Sequence, residues 1–258
     1  MLQLAFDLSG PVISVALFEQ AKLLAAVKSQ GQKQHAETLF PYIEQVLKMA
    51  GKKKSELELI SVCTGPGSFT GIRMAISAAK VMAWALQIPL CAASSLEVMH
   101  ETYRAAAPFR LALIDARGSR VYASLYANNT LYLPEDKYEL SEIIACLAKL
   151  KQENTAQANS TQQASTEVLV FGDGVSKLLA EEVGEFNLRS VDPSPGAISA
   201  EKLALIGQRA AAKGEFIEPL ALAANYCSLS QAERLRIEAE KKRQTEAASL
   251  AQSEQEES

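Results

Sequence analysis

Histidine is scarce in this chain. There are two in 258 residues, His35 and His100, and they stand far apart. The four cysteines, at 63, 91, 146 and 227, include no pair at CxxC or zinc-knuckle spacing. These scarcities nearly exclude metal centres that need several His or Cys ligands. No run approaches the ~20 apolar residues of a membrane span. The opening Met1-Leu2-Gln3 has no basic residue, and Asp7 interrupts the first apolar run, so no signal peptide is read there. Free thiols without an export signal lead to the expectation of a reducing, cytoplasmic setting. No GK[ST] follows the glycine-rich stretch, which excludes a Walker A loop, and no G-x-S-x-G elbow marks a hydrolase. The charge balance is mildly acidic, 26 Lys+Arg against 30 Asp+Glu. Any contact with nucleic acid therefore needs a local basic patch or a partner.

The pattern that is present repeats. Residues 2–8, 12–18 and 23–27 read as an antiparallel meander. A helix is expected over 38–50, with Thr38 as N-cap, Pro41 in the first turn and Gly51 at its end. A strand over 57–63, a helix over 71–86, a strand over 90–93 and a helix capped by Ser94 or Ser95 complete one α/β layer. The sequence restarts near Leu111 with strands over 111–114, 121–127 and 130–133 and a helix over 140–150. A polar stretch follows over 151–166, then a strand over 168–171 and helices near 175–183 and 199–213. The reading is an internal duplication: a first domain over 1–105, a second over 106–228 carrying the insertion 151–166, and a charged tail over 229–258.

The most specific segment is Thr64-Gly65-Pro66-Gly67-Ser68-Phe69-Thr70-Gly71-Ile72-Arg73, between a strand and a helix. Glycines there allow a sharp turn and close backbone approach, and the helix start could face an anion. Local physics favours a structural turn with Ser68 or Thr70 as N-cap. Asp7-Leu8-Ser9-Gly10 and Asp115-Ala116-Arg117-Gly118 place an aspartate at the first hairpin of each half. Asp7, Ser9, Gly10, Asp115, Gly172 and Gly174 are therefore weak candidates for a vestigial nucleotide site, against the plain alternative of ordinary turn residues. The helix over 71–86 is apolar almost all round apart from Arg73, Ser77 and Lys80. Ile72, Ala75, Ala79, Met82 and Leu86 form one stripe, and Met74, Ala78, Val81 and Ala85 another. One stripe is expected to cover the sheet and the other to meet a partner protein. Leu39, Ile43, Val46, Ile72, Ala75, Ala78, Ala79 and Met82 are the candidate interface residues.

Residues 65–73 resemble the hallmark of the TsaB (YeaZ) family. Asp115-Ala116-Arg117 with Val121-Tyr122 is similar to that family's second characteristic stretch. The strand ending in Asp7-Leu8-Ser9 and the helix entry at His35 match in order. The resemblance covers residues 1–125 well and is weaker over 126–225, where Arg120 replaces an acidic residue and Ala224-Asn225-Tyr226-Cys227-Ser228 departs from Pro-x-Tyr-Leu-Arg. It implies the duplicated α/β fold of actin, hexokinase and the heat-shock chaperone ATPases. It also implies a non-catalytic scaffold in making threonylcarbamoyladenosine next to the anticodon of tRNA, with no catalytic residue of its own. The implied partners are a TsaD-like catalytic paralogue, a TsaE-like ATPase and, through the complex, tRNA. ATP and metal are expected to belong to those partners. Separately, an apolar helix face left bare without the partner leads to the expectation of a homodimer through the helices over 38–50 and 71–86. A peptidase, or a small-molecule kinase of the same fold, is the alternative; metal content and ATP turnover of the isolated chain discriminate.

Overall fold

Residues 2–7 alternate large apolar residues (Leu2, Leu4, Phe6) with Gln3, Ala5 and Asp7, and both sides of the strand are covered. They form β1 (Leu2–Asp7), in which every residue is buried. β1 pairs antiparallel with β2 (Val12–Glu19), and β2 pairs antiparallel with β3 (Lys22–Gln30). On its other side β1 runs parallel to β4 (Leu59–Cys63), which pairs in parallel with β5 (Leu90–Ala93). The order is β3-β2-β1-β4-β5. Helices α1 (His35–Met49) and α2 (Phe69–Leu86) provide the crossovers, and α3 (Ser95–Thr102) follows β5. The computed structural model describes residues 1–30, 35–157, 167–181, 187–191, 198–225 and 227.

The second half repeats this plan. Its strands are β6 (Phe109–Asp115), β7 (Arg120–Ala127), β8 (Thr130–Glu139), β9 (Glu167–Phe171) and β10 (Asn187–Ser190). Its helices are α4 (Leu140–Gln157), α5 (Val175–Ala180) and α6 (Ala200–Ala212). The order β8-β7-β6-β9-β10 reproduces that of the first sheet strand for strand. This is the duplicated actin- and hexokinase-like α/β architecture expected from the sequence.

Each sheet has one face covered by its own crossovers. Leu4, Phe6, Val15, Leu17, Ile60 and Val62 meet α1 and α2. Leu111, Leu113, Val121 and Val170 meet α4 and α5. The second faces are covered by exchange. Ala5, Ala16, Cys63 and Ala93 of the first sheet pack against Ala200, Leu203 and Ala204 of α6, which comes from the second half. Ala112, Ile114, Leu169 and Phe171 of the second sheet pack against Leu96 and Met99 of α3, which comes from the first half. The small residues facing α6 let it approach closely. Gln3 Nε2 donates to Ser61 Oγ at 2.7 Å and to the Ala204 carbonyl at 3.1 Å, and a Cβ on Gly207 would collide with Ser61 Oγ.

Several boundaries differ from expectation. α1 starts at His35, so Thr38 is not its N-cap and Pro41 lies inside the helix. α4 continues through 151–157, which the polar composition had marked as loop. β10 was not expected, because Asn187-Leu188-Arg189-Ser190 carries one apolar residue. α6, assigned from order to the second domain, packs on the first sheet, and Met1–Asn225 form one compact unit. The His35 side chain, residues 158–166, Tyr226 and Ser228, and the tail 229–258 lie outside the described residues.

Candidate functional site

The glycine-rich segment joins β4 to α2 and lies on the first hairpin. Ser68 N donates to the Ser9 carbonyl at 2.7 Å, and Ser95 N donates to the Gly65 carbonyl at 2.8 Å. A side chain at Gly67 would collide with the Ser9 carbonyl, and one at Gly71 with the Leu8 carbonyl. These two glycines are thus required by close backbone approach. Ser68 caps α2, its hydroxyl accepting from Gly71 N at 3.3 Å. The structural turn favoured by local physics is what the chain builds, with Ser68 rather than Thr70 as the cap.

This contact seals the first hairpin. Asp7 is fully buried, and its Oδ1 accepts from Ser9 N at 2.9 Å and Ser9 Oγ at 2.6 Å. Ser95 Oγ donates to Ser9 Oγ at 2.9 Å and lies 3.2 Å from Cys63 Sγ. Burial, together with the charge on Asp7, pushes the Cys63 thiol up. Asp7 and Ser9 therefore form a buried polar brace between β1, β4 and α3, not an open phosphate turn. A Cβ on Gly10 would make only ordinary contact with the Ile198 side chain.

The second half uses the same device. Gly172 and Gly174 bring the β9–α5 turn against the backbone of Leu113 at the end of β6. Between them Asp173 Oδ1 accepts from Asp115 N at 2.9 Å. Asp115 Oδ1 in turn accepts from Arg117 N at 2.6 Å and from Lys177 Nζ at 2.5 Å. Lys177 Nζ also donates to the carbonyls of Gly118 (2.8 Å) and Arg120 (3.2 Å). Partial burial works against the Asp115 charge, but the Lys177 ammonium and the Arg117 N–H hold its carboxyl below the usual carboxylate range. Lys177 escaped the sequence reading because a lone lysine in a short helix carries no local signal. Gly172 and Gly174 are explained by packing against Leu113.

The two motif stretches nevertheless meet. Gly67, Ser68, Phe69 and Thr70 face Asp115, Arg117 and Tyr122 across a cleft of about 440 Å³. Phe69 is 54% exposed at its mouth, with the Arg73 guanidinium 3.9 Å from the ring centroid. The cleft offers hydroxyls, an aromatic ring and charges of both signs. Among the described residues no group of three or more His, Cys, Asp or Glu could hold a metal ion. Gly65 and Pro66 are buried, and a Cβ on Gly65 would collide with Ile72 and the Asn225 carbonyl.

The expected interface residues lie elsewhere than on a surface. Leu39, Ile43, Val46, Ile72, Ala75, Ala78 and Ala79 are all buried in the core over the first sheet, and Met82 is half-buried against it. The two stripes read on α2 are thus not opposite faces: the first and part of the second both turn inward. The outer face runs through Arg73, Ser77, Val81 and Trp84, with Val81 62% and Trp84 69% exposed, and takes in Val81 and Ala85 of the second stripe but not Ala78. On neighbouring α1, Phe40 and Met49 are exposed.

The family model described as TsaD, tRNA N6-adenosine threonylcarbamoyltransferase, matches residues 23–233. The tRNA threonylcarbamoyladenosine biosynthesis protein TsaB of Bacillus subtilis is 33% identical over 123 residues, 48% of this chain and 54% of that protein. The match thus spans about half the length of that relative. TsaB of Buchnera aphidicola from Schizaphis graminum is 27% identical over 197 residues, 73% of this chain and 86% of that protein. Among solved structures, a Pseudomonas aeruginosa protein with similarity to peptidase YEAZ superposes with a TM-score of 0.71 at 27% identity, covering 88% of this chain and 99% of that one. YeaZ from Pseudomonas aeruginosa superposes at 0.67, also with 27% identity, covering 87% and 99%. With the motif segments, the duplicated fold and these matches in agreement, the chain belongs to the TsaB (YeaZ) family, within the group that the TsaD model describes.

Proposed function

We propose that this chain serves the threonylcarbamoylation of adenosine in tRNA as a non-catalytic scaffold, pairing with a TsaD-like paralogue that carries the chemistry. The observation behind this reading is the outer face of α2. A helix whose inner side is packed with alanines still presents Val81 and Trp84 to solvent, with Phe69 at its start and Phe40 and Met49 on the adjoining α1. Large apolar side chains exposed on one helix face, here Val81 and Trp84, point to an interaction site, and Trp is among the residue types enriched where binding energy concentrates. In this reading ATP and metal are used by the TsaD-like and TsaE-like partners, tRNA is met through the complex, and the same face closes a homodimer when the partner is absent. No described helix is long and apolar enough to cross a membrane, and we place the complex in the cytoplasm.

The test is co-purification with a TsaD-like protein from the same cells, followed by a transfer assay with the partners added singly and together. Transfer is expected only when the TsaD-like protein is present. Threonylcarbamoyl transfer by this chain alone, or failure to bind the paralogue at micromolar concentration, would sink the reading.

A further inference from the structure

At the end of the second sheet remote from the motif cleft, a second pocket of about 190 Å³ opens between α3, α6 and the β6–β7 pair. Its walls carry an unusual density of charge: Glu97 and Glu101 on α3, Arg104 just beyond it, Arg110 on β6 and Arg209 on α6. Part of this charge is internally matched. Arg209 grips Glu101 through both terminal nitrogens, at 2.9 and 2.7 Å, and Arg104 lies 3.6 Å from the same carboxylate.

Two charges are left over, one of each sign. Arg110 is 3% exposed. Its terminal nitrogens donate only to neutral oxygens: the carbonyls of Arg104 (2.8 Å) and Ala107 (2.9 Å) and the side-chain oxygen of Asn129 (3.0 Å). Its Nε has no partner, and among the described residues it enters no ion pair. Glu97 likewise enters no ion pair among the described residues; it feels the like charges of Glu135 and Glu101 and, more weakly than Glu135, the opposite charge of Arg209. A buried guanidinium and a half-buried carboxylate, neither in a direct ion pair, are costly arrangements; the opposite charges near them, Glu101 for Arg110 and Arg209 for Glu97, are already bonded to each other. Burial and Glu135 push the Glu97 carboxyl up, and burial and Arg104 pull Arg110 down. His100 adds no charge, because burial holds it neutral and Ser124 engages its Nε2.

We propose that this pocket binds a small zwitterion of the α-amino-acid class, its carboxylate received by Arg110 and Arg104 and its ammonium by Glu97. A simple anion would answer Arg110 but would confront Glu97 and Glu101. A simple cation would answer Glu97 but leave the guanidinium unmatched. A ligand carrying both groups supplies both counter-charges. The volume lies below the about 300–1,000 Å³ of drug-sized sites, which favours a molecule of amino-acid size, and the Tyr126 ring provides an apolar wall for its side chain. The ligand would touch α3 and α6 together.

The test uses the full chain, with glycine, alanine, serine and threonine as zwitterionic probes and acetate and ethylammonium as singly charged ones, followed by calorimetry and thermal unfolding. At least one amino acid is expected to bind one to one and raise Tm, with neither acetate nor ethylammonium doing so at equal concentration. Glu97→Gln, which keeps the capping geometry of α3, and Arg104→Ala, at an exposed position, are each expected to weaken binding about tenfold or more. Arg110→Met is expected to abolish binding; if it fails to fold, the other two variants decide. No binding of any of the four amino acids overturns the proposal. So does acetate binding as tightly as they do, or unchanged affinity in Glu97→Gln.

Discussion

Gly71 and Gly10 sit within a few ångströms of the same hairpin yet differ in what they tolerate. A methyl group on Gly71 would meet the Leu8 carbonyl, which is held in the core and cannot yield, whereas one on Gly10 would make ordinary contact with a flexible isoleucine side chain. Gly71→Ala is expected to lower unfolding stability by about 2–4 kcal/mol and Gly10→Ala by less than about 0.5 kcal/mol, compared by urea titration. His100 gives a second test at this scale. Burial, aided by the nearby Arg110 charge and opposed by the bond to Ser124, pushes its pKa down to about 3. The unfolded chain takes up a proton near the ordinary histidine value while the folded chain refuses it, so this stability is intact above that value. It is lost as pH falls toward 3. His100→Gln is expected to be less stable at neutral pH but to flatten the stability profile between about pH 6 and 4, by up to about 1.4 kcal/mol per pH unit. Parallel profiles for the two proteins would show that His100 does not titrate in this way. The motif glycines were legible in the sequence because glycine has few reasons to recur at such spacing. Lys177 and Arg110 were not, since Lys177 acts on Asp115 some sixty residues away and Arg110 on backbone carbonyls and a turn asparagine.

At the scale of the element, α2 carries the most information and the most ambiguity. Its extent to within two residues and its near-absence of charge could be read from spacing, whereas the choice of Ser68 over Thr70 as its cap could not. Which apolar positions faced inward could not, because Ala75, Ala78, Ala79 and Val81 are alike to a periodicity argument and only the sheet decides among them. The structure places Ala78 and Ala79 both in the core. Ala78→Glu and Ala79→Glu are therefore both expected to prevent folding, each burying an unpaired carboxylate. Val81→Glu and Trp84→Glu lie on the outer stripe and are expected to stay within about 0.5 kcal/mol of the parent in unfolding while losing the TsaD-like partner in pull-down. Binding retained in the Val81→Glu, Trp84→Glu double variant would move the docking surface off this helix. β10 shows the opposite limit of sequence reading: its four residues are mostly polar and exposed, and only parallel pairing with β9 makes them a strand.

For the whole molecule, the duplication was visible in the repeated order of apolar runs, but the exchange of the last helices was not. Element order says that α6 follows β10; it does not say that α6 crosses to cover Ala5, Ala16 and Cys63. Residues 1–107 expressed alone would leave that face bare, and residues 108–258 alone would lack α3 over Phe171 and Ile114. Each fragment is expected to be insoluble or to self-associate, and co-expression is expected to recover a soluble complex on size exclusion. A soluble, cooperatively unfolding monomer of 1–107 would show that the exchange is dispensable. The same geometry bears on descent. A gene encoding a single βββαβαβα unit could close both faces of its sheet only by lending its final helix to a second copy and borrowing that copy's helix in return. The half-length ancestor would thus have been an obligate swapped pair whose folding depended on its concentration, and fusion of two such genes would have freed it from that dependence.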